Sequence, residues 1–225
     1  MHQDNIGDDS LPQVGGYVRD LGASVARLIE NALDWEHLPH LHASSFDSIR
    51  LIDEDATGWR ADATLPGDDR PLTLDLRLDA DRAGWVTRST RDGRLLSEIR
   101  SRTEALDARS CRVTVAFHVA DVSADKRAAV GAYYERLYAR LYDEDEAMMM
   151  ARQDALDTQA SVRGGWRMVR LADGEYRVPR ACPHLALPLD AEPDADGVVT
   201  CPWHGYRFDV RTGRCVSGRA CSWAA

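Results

Sequence analysis

The chain has 225 residues, 44% of them hydrophobic, with 37 acidic against 28 basic residues and a formal net charge of -9. That length holds one medium domain plus one small one. The acidic balance argues against a nucleic-acid partner, and because Lys126 is the single lysine the arginines read as composition bias rather than a basic surface.

Residues 1–16 are acidic and glycine-containing with no apolar core, which predicts a disordered lead rather than a signal peptide. No apolar run approaches membrane-spanning length, so the expectation is a cytoplasmic protein without a membrane partner. From Tyr17 to Leu38, Val18, Leu21, Val25, Leu28, Ile29 and Ala32 recur at three- and four-residue intervals, predicting an amphipathic helix that ends at Pro39. Asn31, Asp34, His37, His40 and His42 crowd that end. In an unbroken helix His37 and His42 would diverge by about 140°. Pro39 removes an amide donor and breaks the turn, so both imidazoles can converge. With one carboxylate they would form the facial triad that binds non-haem Fe(II); solvated or locally hydrogen-bonded histidines are the alternative.

Strands are predicted at Phe46–Asp53, Gly58–Leu65, Leu72–Leu78, Gly84–Ser89, Leu95–Arg102 and Arg112–Val119, with clear alternation in Leu72–Leu78. A second helix, from about Ala124 to Gln159, carries an apolar stripe of Tyr134, Leu137, Tyr138, Leu141, Met148, Met149 and Leu156. Asp145 falls near the middle of that stripe, Glu144 at its edge, and Asp143 and Glu146 point away. A carboxylate on a buried face requires a partner, which a metal would supply, or else an arginine such as Arg152.

Gly164-Gly165 then leads into short strand-like runs at Trp166–Val178, Gly197–Cys201 and Tyr206–Val210, punctuated by Asp173-Gly174, Asp196-Gly197 and Thr212-Gly213. Between them lie Cys182-Pro183-His184 and, after sixteen intervening residues, Cys201-Pro202-Trp203-His204-Gly205. Each loop offers one thiolate and one imidazole, the donor set of a [2Fe–2S] cluster whose second iron is held by histidines. A Cys2His2 zinc site is the alternative. Cys111, Cys215 and Cys221 show no paired spacing that demands a disulfide and read as free thiols.

These loops, with proline after each cysteine and Gly205 after the second histidine, resemble the Rieske iron–sulfur family over about the last sixty residues. Leu187, Trp203, Tyr206 and Phe208 stand where high-potential members place extra cysteines and hydroxyls, which implies a low-potential cluster. The series Asn31, Asp34, His37, His42 resembles the mononuclear iron motif of Rieske non-haem iron oxygenases, and Glu144-Asp145-Glu146 resembles the acidic run that holds their third ligand. The resemblance implies His37, His42 and Asp145 on Fe(II), and Cys182, His184, Cys201 and His204 on the cluster. It makes Asp34 the carboxylate bridging the two centres, usually between subunits, and Asn31 an active-site neighbour; His40 is given no ligand role.

The implied fold is α+β. A helix-grip (START/Bet v1-like) catalytic domain with an antiparallel sheet and a long C-terminal helix, residues 17–162, precedes a small all-β Rieske domain, residues 163–225. That order is the reverse of the usual one, and only 102 residues separate His42 from Asp145, so the sheet should be minimal and the pocket small or open. The implied activity is hydroxylation or oxidative demethylation of an organic, for instance aromatic, substrate with dioxygen and electrons from a separate reductase or ferredoxin, in a ring-shaped homotrimer. The alternatives are a Rieske ferredoxin-like electron carrier, or a redox-sensing module, fused to a non-catalytic ligand-binding domain.

Overall fold

Seven runs form strands β1 (Gln13–Leu21), β2 (Ser48–Asp55), β3 (Gly58–Leu65), β4 (Asp68–Leu78), β5 (Gly84–Arg91), β6 (Arg94–Ala105) and β7 (Cys111–Val119), with period-two burial plainest in β4 and β7. In the computed structural model, which describes residues 11–159, 165–217 and 221–223, they make one antiparallel sheet of order β1-β7-β6-β5-β4-β3-β2. Because side chains alternate across a strand, Trp59, Ala61 and Ala63, then Leu72, Leu74 and Leu76, then Val113, Val115 and Phe117, all face one side and are buried there. Register shifts at Leu51/Asp53, Ala63/Leu65 and Ser89/Thr90 bend the strands, as bulges do.

Two short helices, α1 (Val25–Leu33) and α2 (Leu38–Leu41), connect β1 to β2, and the 31-residue helix α3 (Arg127–Asp157) follows β7. Along α3, Tyr134, Tyr138 and Tyr142 recur every four residues and share one face. Tyr134 and Tyr138 lie with ring centroids 5.4 and 5.1 Å from Phe117, and Tyr142 stacks on Tyr17 at 6.0 Å. A long helix gripped by a curved antiparallel sheet is the helix-grip arrangement. Beyond it, β8 (Trp166–Leu171) and β9 (Gly174–Pro179) form a hairpin, and β10 (Val198–Thr200) pairs with β11 (Arg207–Asp209). Val169, Val178, Leu189, Val199, Phe208, Val210 and Trp223 give this small β-unit its own core. Among the described residues no helix is long and apolar enough to cross a membrane.

The single helix expected from Tyr17 to Leu38 is instead a strand, a shorter helix and a turn. The spacing of Val18, Leu21 and Val25 suited a helix, but Val18 is 59% exposed while Tyr17, Arg19 and Leu21 point inward, because β1 pairs with β7 from Gln13 onward. Gln13–Gly16, expected in a disordered lead, therefore belong to the sheet; residues 1–10 of that lead, and Gly164 of the expected linker, lie outside the described residues. Nor does Pro39 end a helix. α1 stops at Leu33, and Pro39 sits in the first turn of α2, where the missing amide hydrogen has no helical partner to lose.

Helix α3 approaches β1 at Gly131, where an added Cβ would lie 2.3 Å from the Val14 carbonyl oxygen. Alanine normally favours a helix over glycine by about 1 kcal/mol, yet here the clash is with backbone. Gly131→Ala is expected to destabilise the protein by about 1–3 kcal/mol, seen as a lowered melting temperature; an unchanged or raised one would show that α3 can lift off β1 without cost.

Candidate metal centres

His37 and His42 bracket α2 as its N- and C-caps, and it is the non-helical backbone of His42 (φ -104°, ψ 37°) that turns its ring back toward His37. The two rings meet edge to face at 5.1 Å. Opposite them, α3 delivers Asp145, whose Oδ1 lies 2.9 Å from His42 Nε2 and 3.4 Å from His37 Nε2. One ligand atom from each residue falls within 4.8 Å of the others, and all three residues are buried. Asn31 Nδ2, also buried, donates to Asp145 Oδ1 at 3.1 Å. Burial alone would raise the Asp145 carboxyl, but His37 and His42 hold it well below the usual carboxylate range, so it is available as an anionic donor. Arg152, the alternative partner for Asp145, pairs with Glu30 instead.

The second nitrogen of each ring faces a carboxylate. His42 Nδ1 meets Glu144 Oε2 at 2.6 Å, while buried His37 Nδ1 has no hydrogen-bond partner and lies 3.9 Å from Asp34 Oδ2. A carboxylate behind the imidazole is the usual support for a metal-bound histidine. Two imidazoles, one carboxylate and an open side toward a cavity fit a mononuclear Fe(II). Sequence reasoning missed Glu144, although its place at the stripe's edge was the available signal, and misjudged Glu146, which faces β1 and accepts from Arg19 and the Gly22 amide.

The two cysteine loops are built alike. The Cys182 amide donates to Leu187 O and the Ala186 amide to Cys182 O, both at 2.8 Å; in the second loop Cys201 donates to Tyr206 O at 2.7 Å and Gly205 to Cys201 O at 2.9 Å. Each loop places its fourth residue after the cysteine in the left-handed region, Ala186 at φ 57° and Gly205 at φ 64°. Cys182 and Cys201 are buried, and the rings of His184 and His204 cross edge to face at 4.7 Å. His184 Nδ1 and His204 Nδ1 are both buried with no hydrogen-bond partner, a cost of about 1–3 kcal/mol each if nothing binds there. Cys182 holds the neighbouring Cys201 thiol down against its burial while Cys182 itself is pushed up, so Cys201 is the sulfur that loses its proton first. Two buried cysteine sulfurs, one of them favoured as the thiolate, beside two imidazole nitrogens without partners fit a cluster bound through Sγ and Nδ1. None of the five cysteines is in a disulfide.

The two centres meet at Asp34, the C-cap of α1, which accepts from His204 Nε2 at 2.7 Å. Burial would raise this carboxyl, but His204 keeps it low; in return Asp34 and Cys201 overcome the burial of His204 and hold it up to about 9. Three contacts unread in the sequence fix the junction. Tyr206 Oη donates to Glu36, Arg152 donates to Leu185 O at 2.6 Å while pairing with Glu30, and His40 lies so close to Gly205 that a Cβ there would sit 2.2 Å from its ring.

Above the histidines opens a cavity of about 450 Å³ walled by Trp59, Leu72, Leu74, Leu76, Trp85 and Ile99, within the range of small-molecule sites. The pocket is thus larger than the spacing of His42 and Asp145 led us to expect.

The Asp34–His204 pair gives the metal-free chain a pH signature. His204 rises from 6.5 to about 9 on folding, so its contribution is complete below pH 6.5 and lost as pH rises through about 9; Asp34 is lowered from 3.8, so its contribution is lost as pH falls below that value. The melting-temperature gap between wild type and Asp34→Asn is expected to be widest near pH 6 and to close by about pH 10. A gap equal at both would mean that the pair does not stabilise the junction.

The family model of the Rieske [2Fe-2S] domain matches residues 142–223. A comparison with curated proteins found no match. Among solved structures, the chain is similar to the ZhuI aromatase/cyclase from Streptomyces sp. R1128 (14% identity, TM-score 0.48, 61% of this chain and 93% of that one). It is also similar to a START superfamily protein from Mycobacterium smegmatis (16%, 0.48, 59% and 97%) and to norcoclaurine synthase from Thalictrum flavum (15%, 0.47, 67% and 94%). Strand order and helix placement, rather than these distant likenesses, define the first part of the chain as a START/Bet v1-like helix-grip fold. The C-terminal part is a Rieske [2Fe-2S] domain.

Proposed function

We propose that the chain is a Rieske-type oxygenase that hydroxylates or oxidatively demethylates an organic substrate at a mononuclear non-haem iron. The observation that carries this reading is Asp34, one of whose oxygens touches cluster-loop His204 at 2.7 Å and stands 3.9 Å from His37. Cys182, His184, Cys201 and His204 hold the cluster; His37, His42 and Asp145 hold the iron. The domain division is close to 163, with the catalytic part starting at β1 rather than at residue 17.

When bound, the cluster supplies single electrons and the iron the site of dioxygen activation. The chain's own residues do the rest. Asp34 fixes the His204 Nε2 proton and shortens the path between centres, Asn31 orients the Asp145 carboxylate, and Glu144 sets the His42 ring through Nδ1. Trp59, Trp85 and the leucines of β4 exclude water and hold substrate against the open side of the triad. Because Tyr206 Oη is turned to Glu36, a low-potential cluster remains the expectation. Electrons come from a separate reductase or ferredoxin. The bridge lies within one chain, so a homotrimer is not needed for electron transfer, and the reversed domain order replaces the usual contact between subunits.

Anaerobic reconstitution should give about three irons and two sulfides per chain, with a nitrosyl signal from the ferrous site. Asp145→Ala should keep the cluster and lose the third iron and that signal. Two irons in the wild type would leave an electron carrier or redox sensor fused to a ligand-binding domain. Asp34→Asn should retain all the iron but slow single-turnover oxidation of the reduced cluster by about 10–100-fold; an unchanged rate would remove Asp34 from the path.

A further inference from the structure

The cavity is mostly apolar along the sheet, apart from Thr87, Ser89 and Ser97, and meets solvent at an exposed arginine. Of the residues lining it, Arg140 is the one lysine or arginine. Its guanidinium donates to Ser45 Oγ at 3.0 Å, and among the described residues no carboxylate pairs with it. In a chain with 37 acidic residues this differs from the other arginines that reach α3 near the site: Arg19 pairs with Asp143 and Glu146, and Arg152 with Glu30. The acids that line the cavity, Asp34 and Asp145, are both engaged by histidines. Ser44 and Ser45 line the same end and add hydroxyl donors.

We propose that the cavity takes an organic acid, with its carboxylate held at the mouth by Arg140 and Ser45 and its apolar body lying between Trp59 and Trp85 above the triad. The inference rests on the oxygenase reading in treating the bound molecule as substrate. Arg140 precedes Asp145 by five residues on α3, about 7.5 Å along the axis at 1.5 Å per residue. The carboxylate is therefore held one to two helical turns from Asp145, beside the turn in which the Ser45 amide donates to His42 O, and it is the apolar body that faces the triad. A guanidinium fork matches a carboxylate bidentately, and freeing it from a single serine contact costs little.

The test is calorimetric titration of the reconstituted full chain with 2-naphthoate and 2-naphthamide, which differ in charge and scarcely in shape. The acid is expected to bind at least about tenfold more tightly than the amide. Arg140→Gln, on an exposed position that should not disturb folding, is expected to abolish that preference, and Arg140→Lys to restore part of it. Three results would overturn the proposal: equal affinity for acid and amide in the wild type, an acid preference that survives Arg140→Gln and so belongs to the metal, or no acid binding at millimolar concentration. Binding and iron content are read separately. A chain that binds acids through Arg140 but holds no third iron would refute the oxygenase reading alone, and one with three irons and no acid preference would refute this inference alone.

Discussion

The hydrogen bond between Asp34 and His204 is the constraint on which the rest of the arrangement depends. A carboxylate removed from water is costly unless it is paired and hydrogen-bonded, and beyond the Glu36 amide Asp34 obtains its imidazole partner His204 when the small β-unit docks against the end of α1. The same contact leaves His204 Nδ1 facing the cysteine pair and brings the carboxylate beside His37. Docking the domains, charging the bridge and placing the two candidate centres at a short separation are thus one event. Tyr206–Glu36, Arg152–Leu185 and the close fit of His40 on Gly205 surround that bond and limit the positions the β-unit can adopt.

Helix α3 makes an intrachain junction possible. Its 31 residues extend roughly 46 Å, enough to cross the sheet from β7, pass the triad and reach the cluster loops. Asp145 and Arg152, seven residues apart and so on one face, serve the two ends of the junction: one meets the histidines, the other the loop that carries His184. A chain with the β-unit in front would have to bring its loops to α1 from elsewhere. Here the helix that supplies the third donor also returns the chain to where the second domain must begin.

Much of this was legible in the residues. Six strand-like runs were located to within a few residues, most plainly at Leu72–Leu78, where one buried face imposes period two, and the apolar stripe on α3 singled out Asp145. The cysteine–histidine loops were readable because their donors lie close together in sequence. The first strand was not, since a short strand followed by a short helix placed Val18, Leu21 and Val25 at intervals that imitate one continuous helix; its pairing with β7 is a long-range fact. Glu36, and the junction roles of Arg152 and His40, were not legible for a related reason. Each acts across the docked interface, and nothing in its local pattern separates it from a solvated polar residue.

The short span between His42 and Asp145 suggested a reduced sheet, yet the cavity is of ordinary size, and β1 explains why. Six strands from that span form a meander whose free edge at β7 would leave α3 without a seat. Residues that look like the end of a lead and the start of a helix become the seventh strand, pair along β7 and place Val14 and Gly15 against Gly131. Arg19 on the same strand fixes α3 through Asp143 and Glu146. With the helix anchored at this edge, its tyrosine face can span the sheet rather than collapse onto β4 and β5, and the space beneath it stays open to a ligand. The width of the cavity is therefore set at the edge of the sheet farthest from the residues that line its apolar wall.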